Sequence, residues 1–251
     1  MKHLVRAILS KLGYECWKSA YRPFGLNHAH DIIRFLDRED VVQVVFDVGA
    51  NEGQSALEYV KYFLGAVIYS FEPVRNTFAR LESNCRPFRS VRPFPLALGD
   101  RPGEVRIELA KASVQNSLCR RATGPSEETA ETVKVDTVDR FAKAHGIERI
   151  DLLKTDTEGF DLQVLMGAEA MLSSGAVRFV LSEVTFNPRD SDHSAFGGVF
   201  QLLSRHGFGF VDLYDHDYVS FSPRKPPLAY CNALFYRPFS QDRARGCPSG
   251  G

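Results

Sequence analysis

The regular alternation of short apolar runs with helical patterns constrains the fold of this chain more than any other feature. Runs rich in β-branched residues predict strands at 42–48, 66–71, 91–98, 150–155 and 177–183. Between them, apolar residues at helical spacing predict helices at 54–63, 75–85, 138–145 and 161–172. This alternation builds a parallel sheet that helices cover on both faces. The sequence therefore predicts an α/β fold with a Rossmann-like, doubly wound sheet.

Two further strands close the domain without a helix between them. After a predicted helix at 196–206, strands are predicted at 208–214 and 228–236. Consecutive strands that lack a crossover connection pair in antiparallel fashion. We therefore expect a mostly parallel sheet with an antiparallel hairpin at one edge.

Three regions flank or interrupt this domain, which we place at residues 41–238. Residues 1–40 predict an N-terminal helical cap that is broken near Pro23. Between about 100 and 136 the pattern changes to alternating strands, which predict a hairpin-like insertion on the main sheet. Residues 239–251 carry Gly, Ser and Arg and predict a disordered tail.

Charge balance and cysteine spacing argue against several classes of protein. Lys plus Arg equals Asp plus Glu, at 31 each, so no global positive field attracts phosphates and we expect no nucleic-acid partner. The five cysteines form no CxxC pair, which argues against a disulfide framework or a zinc site and favours a reducing, cytoplasmic setting. The amphipathic start of the chain allows at most peripheral membrane contact. His28 and His30 lack a third metal ligand, so we expect them at the surface.

The segment "DVGANEG", which follows the first predicted strand, has the spacing of a cofactor-binding loop. The dinucleotide pattern GxGxxG would require glycine at positions that hold Asn51 and Gln54. The pattern DxGxGxG fits Asp47, Gly49 and Gly53, and departs only at Asn51. Asn tolerates the left-handed backbone that Gly adopts. This spacing is the one used for S-adenosylmethionine (SAM), with Asp47 placed to bind the ligand through water or through its ammonium group.

The tips of the next two predicted strands offer contacts for the rest of such a cofactor. Glu72 ends the second strand in "YSFEP", where a carboxylate can accept hydrogen bonds from both ribose hydroxyls. SAM and NAD share that ribose, so the glycine spacing and not Glu72 distinguishes them. The backbone near Leu98 is a candidate edge for the adenine. Asp100 fits equally well as an adenine partner or as part of a turn.

A dense group of charged residues follows the fourth predicted strand. Lys154, Asp156 and Glu158 lie in "LLKTDTEGF", and Glu183 ends the next strand. Acids near a helix N-terminus are also stabilised by the helix dipole, by about 0.3–1 kcal/mol each. If the two strands are neighbours, Asp156 and Glu183 face the crevice where a methyl group would point. They then either take the proton from a hydroxyl or hold a divalent cation, and His193 is a further candidate base.

The segments "VVFDVGANEGQ", "YSFEPV", "LALGD", "VDTVDRF", "LLKTDTEGFDLQVLMGA" and "VLSEV" together resemble, in order and spacing, the FkbM family of SAM-dependent methyltransferases. The resemblance covers 42–183 and continues toward 236. It implies a seven-stranded, class I methyltransferase domain that transfers a methyl group to oxygen. Family acceptors include the hydroxyls of polyketides and of sugars on glycolipids or glycans, so the implied partner is a small-molecule or glycolipid acceptor.

The resemblance also implies roles for individual residues. The first SAM loop would consist of Asp47, Gly49, Asn51 and Gly53. Glu72 would hold the ribose, and Asp156 and Glu158 would line the reaction pocket. The family motif often reads EGxE, whereas Asp161 stands at its last position here, which puts any role of a longer side chain in doubt.

Three other functions stay open on the sequence alone. A non-catalytic domain that senses SAM would share the cofactor loop. A nicotinamide-dependent oxidoreductase would share the ribose carboxylate, but the glycine spacing argues against it. An amine or nucleic-acid N-methyltransferase often carries an N-P-P-Y strand tip, whereas this chain reads T-D-T-E-G. The sequence predicts neither the acceptor nor the oligomeric state, and it does not settle whether a metal is needed.

Overall fold

A computed structural model describes residues 23–37, 40–108, 130–190, 192–218 and 228–239 of this chain. Several predicted features lie outside these residues, namely the first part of the N-terminal cap, the centre of the insertion and the tail. Within the described residues, no helix combines the length and the apolar character that are needed to cross a membrane.

The described helices and strands follow the predicted alternation closely. The helices are α1 His28–Arg34, α2 Gln54–Tyr62, α3 Arg75–Cys85, α4 Val138–Ala144, α5 Asp161–Met166, α6 Glu169–Ser174 and α7 Phe196–Arg205. The strands are β1 Val44–Val48, β2 Val67–Phe71, β3 Val91–Phe94, β4 Ala97–Leu98, β5 Gly103–Glu108, β6 Ala130–Asp136, β7 Ile150–Thr155, β8 Val177–Val184, β9 Gly209–Tyr218 and β10 Leu228–Tyr236.

The main sheet has seven strands in the order β3-β2-β1-β7-β8-β10-β9. The first five are parallel, and β10 pairs in antiparallel fashion with both β8 and β9. The predicted doubly wound sheet with an antiparallel edge hairpin is thus confirmed. The strand order reverses between β1 and β7, and the carboxyl ends of the strands at such a reversal form a ligand-binding crevice.

The third predicted strand, 91–98, is broken in the structure. Pro95 separates β3 from β4, and the backbone N–H of Leu96 donates to the carbonyl of Phe94 across the break. β4 then leaves the main sheet and pairs with β6, which also pairs with β5. The prediction that the insertion lies on the main sheet was therefore wrong, because β4, β5 and β6 form a separate three-stranded sheet.

The single helix predicted at 161–172 is divided into two helices in the structure. The division lies where the chain passes close to the backbone of Gly99. A Cβ on Gly167 would lie 1.9 Å from the carbonyl oxygen of Gly99, so the chain turns between α5 and α6 at this contact. The Asp139 carboxylate accepts from the backbone N–H groups of Ala170 and Met171, at 2.8 and 3.0 Å. This cap satisfies N–H groups at the start of α6 that have no partner inside the helix.

Alternating residues of the central strands fill a core on each face of the sheet. In β1, Phe46 belongs to one apolar cluster and Val45 to the other. In β7, Leu153 and Leu152 divide in the same way. Because both faces are buried, the polar residue Asp47 in β1 has no access to solvent, and it must find a charged partner inside the protein.

α1 packs against the main domain and covers one face of the sheet. Asn27 caps this helix, since its Oδ1 accepts from the backbone N–H of His30 at 2.8 Å. His28 is only 5% exposed and lies edge-on to the rings of Tyr59 and Tyr214. The prediction that His28 is a surface residue was wrong, because the cap folds onto α2 and β9 and buries it.

Candidate active site

A cavity of about 290 Å³ lies at the carboxyl ends of the parallel strands, beside the reversal in strand order. The predicted site residues that line it are Gly49, Asn51, Glu72, Leu98, Asp156, Glu158 and Glu183. Four other predicted residues lie behind these walls or beside them, namely Asp47, Gly53, Lys154 and His193. The topology thus brings together side chains that are more than 100 residues apart in the sequence.

The loop after β1 has the left-handed backbone that its glycine spacing predicts. Gly49 has φ +77°, and a Cβ there would lie 1.8 Å from the carbonyl oxygen of Asp156. Asn51 has φ +48°, which confirms that Asn stands in a left-handed position here. Gly53, with φ +97°, begins α2 and lies against Cys85. Gly49 and Gly53 are required by neighbouring protein atoms, quite apart from any ligand.

Asp47 lies beneath the cavity and is not part of its wall. It is fully buried, and its Oδ1 lies 3.1 Å from Lys154 Nζ. The same ammonium lies 3.1 Å from Asp156 Oδ2 at the cavity wall. Burial raises the pKa of Asp47, although Lys154 opposes the shift. Burial alone would lower the pKa of Lys154, but Asp156 and Asp47 raise it, so the lysine stays charged. The predicted contact of Asp47 with the ligand, through water or through the ammonium group, stays a prediction. In this structure Asp47 and Lys154 hold Asp156 in place.

Glu72 lies at the tip of β2 and is 7% exposed. Its Oε1 accepts from the backbone N–H of Val74 at 2.8 Å, which fixes the carboxylate beside the cavity. Burial raises the pKa of Glu72 to about 7, although backbone hydrogen bonds from Val74 and Asn51 oppose the shift. The wall nearby is apolar, with Phe71, Val74, Leu96, Leu98 and Ile107. A carboxylate next to an apolar slot suits a nucleoside.

The loop after β7 carries Asp156 and Glu158 into the opposite end of the cavity. Glu158 has φ +53°, a left-handed conformation that is uncommon for a residue with a long side chain. Asp161 is fully buried, and its Oδ1 accepts from the backbone N–H of Thr157 at 3.2 Å. Burial raises the pKa of Asp161 to about 6, and Asp156 adds to the shift. In this structure the shorter Asp161 stabilises the loop and does not reach the cavity wall.

Glu183 ends β8 next to β7, as the sequence predicts. The residue is 6% exposed, and its Oε2 has no hydrogen-bond partner among the described residues. Burial raises the pKa of Glu183 to about 10, and the charges of Asp156 and Asp161 add to the shift. A carboxyl group with this pKa carries a proton at neutral pH, unless a cation is nearby.

His193 approaches the cavity from the loop after β8. Its Nε2 lies 4.0 Å from Glu183 Oε2, and its Nδ1 lies 2.9 Å from Asp190 Oδ2. Since a carboxylate only accepts hydrogen bonds, Nδ1 donates, and the lone pair of a neutral ring lies on Nε2. The ring stacks on Tyr230, with 4.2 Å between the centroids.

Sequence reasoning missed Asp190, Asp215, Tyr230 and Asn232. Asp215, Tyr230 and Asn232 come from β9 and β10 and line the cavity beside Glu183. Asn232 Nδ2 donates to Asp215 Oδ2 at 3.2 Å, and His28 Nδ1 lies 3.4 Å from the same oxygen. A polar Asn inside the apolar strand "LAYCNALFY" was a usable signal. Asp215 carried a weaker signal in "YDHDY", where three polar residues fall inside a strand.

The charge of the cavity wall has a single sign. Among the described residues that line the cavity, five are acids and none is Lys, Arg or His, namely Glu72, Asp156, Glu158, Glu183 and Asp215. Such a wall attracts a cationic ligand and repels phosphates. The arrangement therefore suits a sulfonium or ammonium group much better than the pyrophosphate of a dinucleotide.

Comparison with known proteins agrees with this geometry. The curated relatives include the 2-O-methyltransferase NoeI of Sinorhizobium fredii, which is 25% identical over 165 residues and aligns with 61% of this chain and 66% of NoeI. The hexuronic acid methyltransferase AglP of Haloferax volcanii is 29% identical over 161 residues, with 63% of each chain aligned. The 31-O-demethyl-FK506 methyltransferase FkbM of Streptomyces tacrolimicus is 31% identical over 196 residues, which cover 67% of this chain and 73% of that protein.

The chain spans less than two thirds of the length of NoeI and AglP. The family model of the methyltransferase FkbM domain matches residues 47–210, from the loop under the cavity to the start of β9. That match includes each predicted site residue. The chain belongs to the FkbM methyltransferase domain family.

Proposed function

We propose that this protein is a SAM-dependent O-methyltransferase. Two observations on the cavity carry the proposal together. The charged side chains of its described wall are all acidic, and one of them, the buried Glu72, lies next to an apolar slot where it can bind a ribose. SAM has a nucleoside at one end and carries a sulfonium, an ammonium and one carboxylate, so its net charge is positive and it complements both parts. NAD shares the nucleoside but brings a pyrophosphate, which this acidic wall would repel.

The proposed orientation of SAM follows from the two ends of the cavity. Glu72 accepts from the ribose hydroxyls, and the adenine lies among Val74, Leu98 and Ile107. The left-handed loop at Gly49 and Asn51 leaves room for the methionine part. The methyl group then points toward Asp156 and Glu183, at the tips of β7 and β8.

Asp156 is the proposed proton acceptor. An alcohol is a weak nucleophile at neutral pH, and removing its proton during attack accelerates such reactions by about 10²–10⁴-fold. Asp156 lines the cavity, and its ion pair with Lys154 fixes the position of its carboxylate. Glu183 is less accessible to an acceptor, because its side chain is 8% exposed and that of Asp156 is 34% exposed. The acceptor oxygen forms a bond to the methyl carbon as the S–CH₃ bond breaks, and the electron pair stays on sulfur.

The proposed acceptor is a hydroxyl of a sugar, a glycolipid or a polyketide-type molecule. The names of the relatives AglP and FkbM describe methylation of a hexuronic acid and of a demethylated FK506, respectively. A nucleic-acid acceptor would bring phosphates to an acidic opening, which is unfavourable. We call the part of the cavity at Asp156, Glu158 and Glu183 the acidic end. Tyr230 and Asn232 also lie in its wall, so it offers hydrogen bonds to a polyhydroxylated ligand.

Calorimetric titration with S-adenosylhomocysteine (SAH), the product of SAM, tests the cofactor assignment. We expect micromolar binding to the wild type, a loss of at least tenfold in Glu72→Ala, and no binding of NAD. Exposed Glu104→Ala, outside the cavity, is the matched control and should bind normally. Binding of NAD alone would overturn the proposal.

Transfer from methyl-labelled SAM to hydroxylated sugars, glycolipids and polyketides then tests the activity. Label in an O-methyl ether of one class identifies the acceptor. SAH binding without transfer to any hydroxylated acceptor would instead indicate a domain that only senses SAM.

A further inference from the structure

We propose that Glu158, Glu183 and His193 bind a divalent transition-metal cation at the acidic end of the cavity, an inference that rests on the proposed function. One ligand atom from each residue lies within 4.8 Å of the other two. Atoms that share a cation at about 2.0–2.2 Å lie roughly 3–4 Å apart, so a small closing movement completes the site. Two carboxylates and one imidazole suit Mn²⁺ or Zn²⁺ better than Mg²⁺, which prefers oxygen ligands only.

The buried carboxylate of Glu183 supplies independent support for a cation. Its side chain is 8% exposed, and Oε2 has no hydrogen-bond partner among the described residues. Asn232 stands opposite Glu183 in the pairing of β8 and β10, and its buried Oδ1 also has no partner there. Buried polar atoms are nearly always satisfied, so two such oxygens on adjacent strands need an explanation. A cation bound to Glu183 satisfies the carboxylate.

His193 is held in the orientation that a metal ligand needs. Asp190 accepts from Nδ1, which directs the Nε2 lone pair toward Glu183. Stacking on Tyr230 fixes the plane of the ring. Metal-binding histidines are typically oriented by such a carboxylate on the other ring nitrogen.

The two loops that carry Glu158 and His193 are fastened to each other. A Cβ on Gly159 would lie 2.8 Å from the carbonyl oxygen of Asp192, so only glycine permits this approach. Ser194 Oγ donates to the carbonyl of Gly159 at 3.2 Å and accepts from the backbone N–H of Leu162 at 3.3 Å. These contacts support the loops of Glu158 and His193, and Glu183 lies in β8, so all three proposed ligands are on ordered backbone. Such support is a requirement for a binding site of defined geometry.

The cation would activate the hydroxyl that receives the methyl group. A hydroxyl bound to a divalent cation loses its proton more readily, because the metal stabilises the alkoxide. The O–H bond breaks and its proton passes to Asp156, while the oxygen bonds to the methyl carbon and SAH leaves with the electron pair on sulfur.

Titration of the metal-stripped protein with MnCl₂, followed by the electron paramagnetic resonance signal of free Mn²⁺, tests the site without any turnover. We expect one Mn²⁺ per chain, displaced by Zn²⁺, and at least tenfold weaker binding in Glu183→Gln and His193→Ala. Glu169→Gln is a matched control, because Glu169 Oε2 and His206 Nε2 form a similar pair, 3.3 Å apart, away from the cavity. The control should bind Mn²⁺ as the wild type does.

Circular dichroism of each variant shows whether it is folded. Absence of Mn²⁺ and Zn²⁺ binding below about 1 mM, or unchanged binding in folded Glu183→Gln, would overturn the inference. If Glu183→Gln does not fold, Asp190→Asn takes its place, since losing the partner of a metal-binding histidine weakens binding about 10–100-fold.

Titration with SAH in the presence of EDTA separates the two proposals. SAH binding without metal binding leaves the proposed function intact, whereas metal binding without SAH binding removes the cofactor assignment.

Discussion

The two ends of the cavity are built in different ways. The cofactor end is formed by one short loop, residues 49–53, and by Glu72 at the tip of the neighbouring strand, and the backbone sets its shape. The acidic end collects Glu158, Glu183 and His193 from separate loops and strands, and side-chain contacts set its shape. A loop whose backbone conformation is required appears in the sequence as a short local motif. A site assembled from side chains appears as residues that are far apart in the sequence. Four substitution or pH experiments test whether this difference is real.

Substitution of Gly49 should have the largest effect, because it disturbs both ends. A Cβ at Gly49 would overlap the carbonyl of Asp156 and force an unfavourable positive φ. We expect Gly49→Ala to lower the free energy of unfolding by more than about 3 kcal/mol, or to prevent folding. Gly103→Ala is the control, since no atom lies within 4 Å of the added Cβ, and it should change stability by less than about 1 kcal/mol. Urea unfolding measures both, and equal stability of the two variants would contradict the backbone account.

Asp156→Asn should impair methyl transfer at the acidic end and leave cofactor binding at the other end nearly unchanged. The amide keeps the shape of the side chain but cannot take a proton, so we expect kcat to fall about 10²–10⁴-fold. The Kd for SAH should change by less than about threefold, because Lys154 keeps its ion pair with Asp47. Methyl transfer with labelled SAM and calorimetry measure the two quantities. Exposed Glu104→Gln, outside the cavity, is the control. A fall in kcat of less than tenfold in Asp156→Asn would assign the proton to another group.

Cofactor binding should depend on pH through Glu72. The pKa of Glu72 is raised from 4.5 to about 7 by burial, so below pH 7 the free protein holds a proton there. Ribose hydroxyls donate to the ionised carboxylate, and binding therefore weakens as the pH falls. We expect the Kd for SAH to rise about tenfold from about pH 8 to about pH 6. Calorimetry of Glu72→Gln should show weaker binding with a flat profile, and an equal slope in the variant would mean that another group titrates.

The same contrast explains how far the sequence alone predicts this protein. The parallel sheet follows from strand and helix periodicity, and the left-handed loop follows from the glycine spacing with Asn51. The break at Pro95 and the separate small sheet depend on pairing across a long insertion, which no local pattern encodes. The orientation of His193 depends on Asp190, and its position on a loop contact at Gly159. These tertiary contacts become visible only when the chain is folded.

The smallest effects are expected at Asn51, where substitutions test whether the cofactor loop depends on the backbone conformation of this residue or on its side chain. Asn51 has φ +48°, and its Oδ1 is buried without a hydrogen-bond partner among the described residues. If the backbone matters, Asn51→Gly should keep the free energy of unfolding within about 0.5 kcal/mol and the Kd for SAH within about threefold. Asn51→Ala should destabilise the protein by about 1 kcal/mol, because alanine resists the left-handed conformation. Urea unfolding and calorimetry measure these differences. If Asn51→Gly loses SAH binding while Asn51→Ala retains stability, the Asn51 side chain binds the cofactor, and the cofactor end is then assembled from side chains in the same way as the acidic end.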